Sequence, residues 1–331
     1  MLRITANQNI RIAALLAVVF KAAMWGLSMP LTKSLVDVYE PCTLGALRLV
    51  IALAVFLPIL LVQGRLPLIS RETVILGVTG VTLVQIFQNT GMQSISASGA
   101  VILLYGGVVI SSVVLGRLLL GESCSKLVAG ALALSAAGVG IVAINVEDQA
   151  GRGLSMLGCV LILGAALAFA LYTVIGKRVA AADITALNAG VLLMGLLAIL
   201  PFSAREARPS LSEAIDPRHL VALLILGAAV SGGSYFFWCY GVRHLPVAEA
   251  NVLSSSEPVF GLVFAWLLLR EGVSLWEALG ATVIIASCVL VSLRTATARV
   301  APAPVAALEP QERERPHDAI EKCPSVEHVG I

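Results

Sequence analysis

Apolar residues along this chain come in unbroken runs, not in the alternation of a half-buried strand or the single stripe of a soluble helix. Ten of these runs, 12–32, 43–63, 73–93, 100–120, 127–145, 154–176, 184–202, 220–242, 246–269 and 274–293, approach the roughly 20 residues that carry a helix across about 30 Å of hydrocarbon. The pattern predicts an all-α integral membrane protein of ten transmembrane helices. Connections are short except 203–219. The first run follows Arg3 and Arg11 and has no clean small-residue cleavage site behind it, so it reads as a retained helix, not a removed leader. The last 37 residues, from Thr295 on, are rich in Ala, Pro, Glu and Arg and poor in aromatics, which predicts a disordered tail.

The runs repeat. The third and eighth align without a gap at an offset of 150, matching Leu76-Gly77 to Leu226-Gly227 and Gly91 to Gly241. The fourth and ninth follow, with LLLGE ending at Glu122 against LLLRE ending at Glu271, and the first and sixth align at an offset of 144 through Lys33 and Lys177. This divides the chain into an N-terminal segment 1–11, a first five-helix repeat 12–145, a second 154–293 and the tail 295–331. An odd number of spans per half obliges the second half to enter from the opposite side, giving two inverted repeats, an architecture that builds alternative gates around one midplane site. Arg3, Arg11, Arg65, Arg71, Lys126, Lys177, Arg178, Arg243 and Arg294 gather at one set of helix ends, against Lys33, Arg152, Arg205, Arg208, Arg218 and Arg270 at the other. The positive-inside bias then places both termini in the cytoplasm.

Composition sharpens the picture. Charged residues make up 13% and apolar ones 58% of the 331, with mean hydropathy +0.94, whereas soluble domains carry roughly a quarter of their residues as charges. A net charge of +2 with no basic, aromatic-interleaved stripe excludes nucleic acid as a partner. Cys42, Cys124, Cys159, Cys239, Cys288 and Cys323 are scattered singly, and the histidines His219, His244, His317 and His328 fall in loops or the tail. Neither a disulfide framework nor a metal site is expected, nor any other cofactor. The sequence has no Walker motif, so ATP-driven transport in cis is excluded.

Trp25-Gly26 in the first run, Arg48 seven residues after Pro41, and Glu257-Pro258 leading thirteen residues on to Glu271 carry a resemblance to the EamA-type members of the drug/metabolite transporter superfamily, covering about residues 10–294. One departure stands out. The family usually has a proline in the fourth span like Pro258 in the ninth, and the equivalent position here is Val109, with Gly106-Gly107 nearby as another source of irregular backbone. The resemblance implies a plasma-membrane transporter, bacterial by analogy, that moves small organic metabolites, often amino acids, without a cofactor.

Several residues suggest where a solute would pass. Gln85, Gln88 and Met92 share one face of the third span, and their repeat equivalents are Tyr235, Trp238 and Val242. Amides facing aromatics suit an amphiphilic solute; the alternatives are interhelical glue for the glutamines and interfacial anchoring for the rings. Lys21, Trp25, Ser28 and Thr32 form a stripe on the first span, opposite Phe169, Tyr172 and Gly176. Lys21 lies about 14 Å from either surface at 1.5 Å per residue, where an ammonium needs a cavity or a partner. Glu257 is the carboxylate at comparable depth, beside Pro258, which crowds the carbonyl of Ser254. Asn251, Ser254 and Pro258 share a face with it; the alternative is a structural carboxyl at a proline kink. Arg48 and Arg117 lie near span ends and can snorkel, and Glu122 and Glu271 read as helix-end residues that cap loops or pair with Lys126 and Arg270.

The reading is therefore a secondary transporter working by alternating access, its partners a small-molecule solute and the lipid bilayer. The solute's own gradient or a coupled ion such as a proton drives it. A polytopic enzyme acting on a lipid-linked substrate is the alternative, and it would call for clustered carboxylates or histidines at one membrane face.

Overall fold

A computed structural model describes residues 2–121, 126–145, 156–176, 184–206, 216–245, 250, 253–254 and 256–300. Among these the main elements are ten helices and no strands: α1 (Leu2–Leu35), α2 (Pro41–Val62), α3 (Arg71–Met92), α4 (Ala97–Leu120), α5 (Lys126–Asn145), α6 (Met156–Gly176), α7 (Ile184–Ser203), α8 (217–244), α9 (Glu257–Leu269) and α10 (Leu275–Val300). Seven of the ten expected spans, α1 to α4 and α6 to α8, are long and apolar enough to cross a membrane. Helices α5, α9 and α10 carry the shorter apolar stretches Ala129–Ile141, Glu257–Leu269 and Leu275–Ser287 among the described residues. The expected run 246–269 is broken: Ser256 sits in a turn and α9 starts only at Glu257 with Pro258 in its first turn. Proline there lacks an N–H that a helix start leaves unbonded anyway, so it starts a helix more readily than it continues one. Helix α1 begins at Leu2, inside the expected N-terminal segment, and α10 runs to Val300, past residue 295. Residues 301–331 of the tail lie outside the described residues.

Local chemistry sets several ends. Ser96 accepts from the Gly99 amide at 3.1 Å to start α4, which ends at Gly121 in the left-handed region (φ 67°). Ser70 and Thr73 form a reciprocal cap on α3, and Ser274 and Glu277 do the same at α10, with N–H to oxygen distances of 2.8 and 3.2 Å. Helices α3 and α8 each contain a π-helical segment, Val78–Leu83 and Ile225–Gly233.

Outward faces carry large apolar side chains such as Leu16, Leu61, Leu118, Met156 and Trp266, as lipid-facing surfaces do. A central cluster gathers Leu35, Leu44, Met92, Leu103, Ile162 and Leu226 from six helices. Close packing depends on small residues, the usual means of bringing helices together in lipid. Gly77 of α3 lies against Gly195 of α7, and Gly91 of α3 against Gly158 of α6; Gly227 of α8 lies against α2 and Gly241 of α8 against α1. Helix α4 packs on α6, α9 on α1, α5 on α10 and α2 on α7.

Candidate functional site

Gly26 brings α1 onto the start of α9: a Cβ added there would lie 2.6 Å from Phe260 Cβ, 2.8 Å from the Gly261 nitrogen and 2.9 Å from the Glu257 carbonyl oxygen. That near-backbone contact sets the reach of the side chains around it. Lys21 Nζ donates to Glu257 Oε1 at 2.5 Å, with the residues 8% and 6% exposed. The same ammonium lies 4.2 Å from the centre of the Trp25 ring and 5.0 Å from that of Trp238, so two π faces share the cation with the carboxylate. Tyr105 of α4 donates to the other carboxylate oxygen at 3.2 Å. Glu257 stands in the first turn of α9, where the helix dipole favours negative charge. Ser256 leaves that helix start without a side-chain cap and instead donates its hydroxyl to Leu253 O at 2.6 Å.

An aromatic row leads away from the pair. Trp25 meets Phe169 edge-on with centroids 5.8 Å apart, and Phe169 stacks on Tyr172 at 6.0 Å. The Tyr172 ring fills the notch left by Gly80 in the π segment of α3, where any added Cβ would overlap it. Trp25 Nε1 donates to Ser234 Oγ at 2.9 Å. Ser234 follows directly on the π segment of α8 and donates in turn to Val230 O. Ser231, inside that segment, donates to Leu226 O five residues back at 2.9 Å. Such segments insert a residue into the helical turn and recur at functional sites.

Of the residues singled out from the sequence, Lys21, Trp25, Trp238 and Glu257 form one contact group, and Tyr172 joins it through Phe169. Tyr235 packs instead with Phe56 of α2, 5.4 Å between centroids, and with Phe236. Gln85 and Gln88 are buried, and Gln85 lies against Gly45 of α2 with an amide oxygen that has no hydrogen-bond partner among the described residues. No hydrogen bond among the described residues joins these two glutamines to the Lys21 group. Pro258 is buried in the first turn of α9, and Ser254 Oγ is buried without a described partner. Asn251 lies outside the described residues, as does Glu122.

Ser28 accepts from Arg48 Nη2 at 3.2 Å, and Arg48 Nε donates to Ser231 at 2.6 Å. Arg48 therefore turns inward between α1 and α8 and does not snorkel. Glu271 caps α4, accepting from the Ala97 and Ser98 amides at 3.0 and 3.0 Å. Four residues gave no warning in the sequence: Tyr105, Ser231, Ser234 and the buried Glu277, whose carboxylate accepts from Ser98 Oγ at 2.8 Å. A serine or tyrosine in an apolar run is unremarkable until a neighbouring helix supplies its partner.

Comparison with known proteins fits this arrangement. The profile of the EamA-like transporter family matches residues 12–144 and again 156–293. The chain is similar to a protein of Archaeoglobus fulgidus named an uncharacterized transporter, 28% identical over 223 residues that cover 66% of this chain and 75% of that one. It is also similar to a WAT1-related chloroplastic protein of Arabidopsis thaliana, 27% identical over 287 residues, 81% of this chain and 66% of that one. A solved crystal structure superposes with TM-score 0.60 over 87% of this chain and 99% of its own, at 17% identity, a likeness of fold alone. Apolar helices, the family match and relatives named as transporters make this a multi-pass membrane transporter. With both halves of its length matched by one profile, the chain belongs to the EamA-like transporter family.

Proposed function

We propose that the chain is a secondary transporter that moves small organic metabolites, amino acids or similar amphiphilic solutes, across a bacterial plasma membrane by alternating access. Its spans form two inverted five-helix repeats, 12–145 and 154–293, with both termini cytoplasmic. The double family match supports the repeat, and so does the exchange of partners between equivalent elements. Gly77 packs on α7 and its equivalent Gly227 on α2; Gly91 packs on α6 and its equivalent Gly241 on α1. The two π segments also overlap at the 150-residue offset.

The observation that carries the transport reading is the buried Lys21–Glu257 pair, set between α1 and the interrupted ninth span and flanked by Trp25 and Trp238. Protonation of Glu257 removes the ammonium's counter-charge and leaves the carboxyl its Tyr105 hydrogen bond. The α1–α9 contact then keeps its packing around Gly26 but loses its ion pair, which weakens the hold on the short helix. A solute's apolar body lies along Trp25, Phe169 and Tyr172. In this scheme a proton on Glu257 is the coupled ion.

The test uses purified protein in liposomes, loaded in turn with a panel of labelled metabolites. Lys21→Met and Glu257→Gln each leave one buried charge unpaired, a cost of about 3 to 5 kcal/mol, so each single variant loses more transport and more thermal stability than the double variant. Glu257→Gln also abolishes pH dependence while solute exchange persists. Additive effects would remove the pair from the mechanism, and wild-type transport indifferent to an imposed proton gradient would remove the coupling.

A further inference from the structure

Arg48 is a cation within a membrane span whose partners among the described residues are two neutral hydroxyls, Ser231 at 2.6 Å and Ser28 at 3.2 Å. The contact is built in. Gly227 lets α8 come so close to α2 that an added Cβ would lie 3.1 Å from the Arg48 carbonyl oxygen, and Ser231 is itself fixed by its bond to Leu226 O across the π turn. The hydroxyls orient the guanidinium but do not neutralise it. Among the described residues two of its five N–H groups have partners, which leaves three for a charged acceptor. Glu257 is not that acceptor, since it pairs with Lys21, and Ser28 lies seven residues beyond Lys21 on α1, about 10 Å along the axis. An ionised side chain that turns into a transmembrane bundle normally faces a cavity or an opposite charge.

We infer that Arg48, oriented by Ser28 and Ser231, is the subsite that takes the carboxylate of the transported solute. This rests on the transporter reading above and names its substrate class: organic monocarboxylates with an apolar body. A planar guanidinium fork matches a carboxylate with two parallel hydrogen bonds. One unneutralised positive charge balances one negative charge, so a carboxylate suits the site and a doubly charged phosphate ester does not. The aromatic wall stands next to it, because Ser234, one turn beyond Ser231, holds the Trp25 indole at 2.9 Å. A single π segment thus fixes both the charge that would read the head group and the ring that would meet the body.

Wild-type protein, Arg48→Gln, Arg48→Lys and Ser231→Ala are purified and melted with 3-phenylpropionate, indole-3-acetate and hexanoate, each beside its primary amide, and the same six compounds are tried in counterflow. Carboxylates raise the wild-type melting temperature and the matched amides do not. Arg48→Gln weakens the carboxylate response at least about tenfold, Arg48→Lys keeps part of it, and Ser231→Ala keeps the preference for acid over amide at lower affinity. Ligand-free melting curves separate these losses from misfolding, and if Arg48→Gln does not fold, the acid–amide comparison on wild type and Arg48→Lys decides. Amides that match their acids, a carboxylate response that survives Arg48→Gln, or no response to any carboxylate overturns the subsite. In the first case the transporter reading stands if those amides cross the membrane. That reading falls only if no metabolite of the wider panel is moved.

Discussion

Glu206 and Glu271 join helices that are far apart in sequence. Glu206, just beyond α7, accepts from the Cys42 and Thr43 amides at 2.9 and 2.6 Å and from the Thr43 hydroxyl at 2.9 Å, so a carboxylate from the second half caps α2 in the first. Losing a helix cap costs about 1 to 2 kcal/mol. Glu206→Gln is therefore expected to lower the melting temperature of the purified protein, and Glu206→Ala to lower it further, while Glu40→Gln, which forms no such cap, leaves it unchanged. Among single residues, depth was the property the sequence disclosed best. Lys21 and Glu257 were legible as partners because each lay far from either end of its run. Arg48 was not, because a position near a span end permits snorkelling, and only the approach of α8 at Gly227 decides that it turns inward.

The all-helical membrane character and seven of the spans were legible from the length of the apolar runs, but the faces of the helices were less so. A helical-face reading assumes a constant rotation per residue, and the π segments in α3 and α8 break that constancy. The residues singled out lie beyond those segments in regular helix, where the neighbouring helix sorts them: Tyr235 packs on Phe56 of α2 while Trp238, three residues on, reaches Lys21 of α1, and Gln85 lies against Gly45 of α2. Three glycine substitutions test the packing. Gly26→Val wedges α1 from α9, with an overpacking cost of about 1 to 3 kcal/mol, and should lower both melting temperature and transport. Gly130→Ala in α5, where an added Cβ meets nothing within 4 Å, should leave transport intact and stability level or slightly raised. Gly80→Ala displaces the Tyr172 ring and should impair solute affinity more than stability.

For the molecule as a whole, the proposed inverted arrangement makes a topological prediction. Single cysteines placed beside Lys33 and beside Arg152, in a background lacking the native cysteines, should both react with an impermeant reagent from outside the cell. Reaction of either from the cytoplasmic side alone would overturn the arrangement. The proposed repeat rests on glycines at equivalent positions of the runs, and Gly77, Gly91, Gly227 and Gly241 all lie at helix contacts. The interruption before α9 was less readable, since Pro258 in an apolar run fits a kink as well as a new helix start.

The placing of Lys21 between two indoles has an optical consequence. The chain has four tryptophans: Trp25 and Trp238 lie 4.2 and 5.0 Å from the ammonium, whereas Trp266 and Trp276 are 60% and 47% exposed on the outer faces. A cation held over an indole shifts its emission, so a change in the charge or position of the Lys21–Glu257 pair should be written into the fluorescence of the inner two, with the outer two as a steady reference. Titrating the protein without added solute should then move the emission maximum in wild type and in Trp266→Phe, but not in Trp25→Phe/Trp238→Phe or in Glu257→Gln. The protein carries its own spectroscopic gauge, and no attached dye is needed to follow the pair.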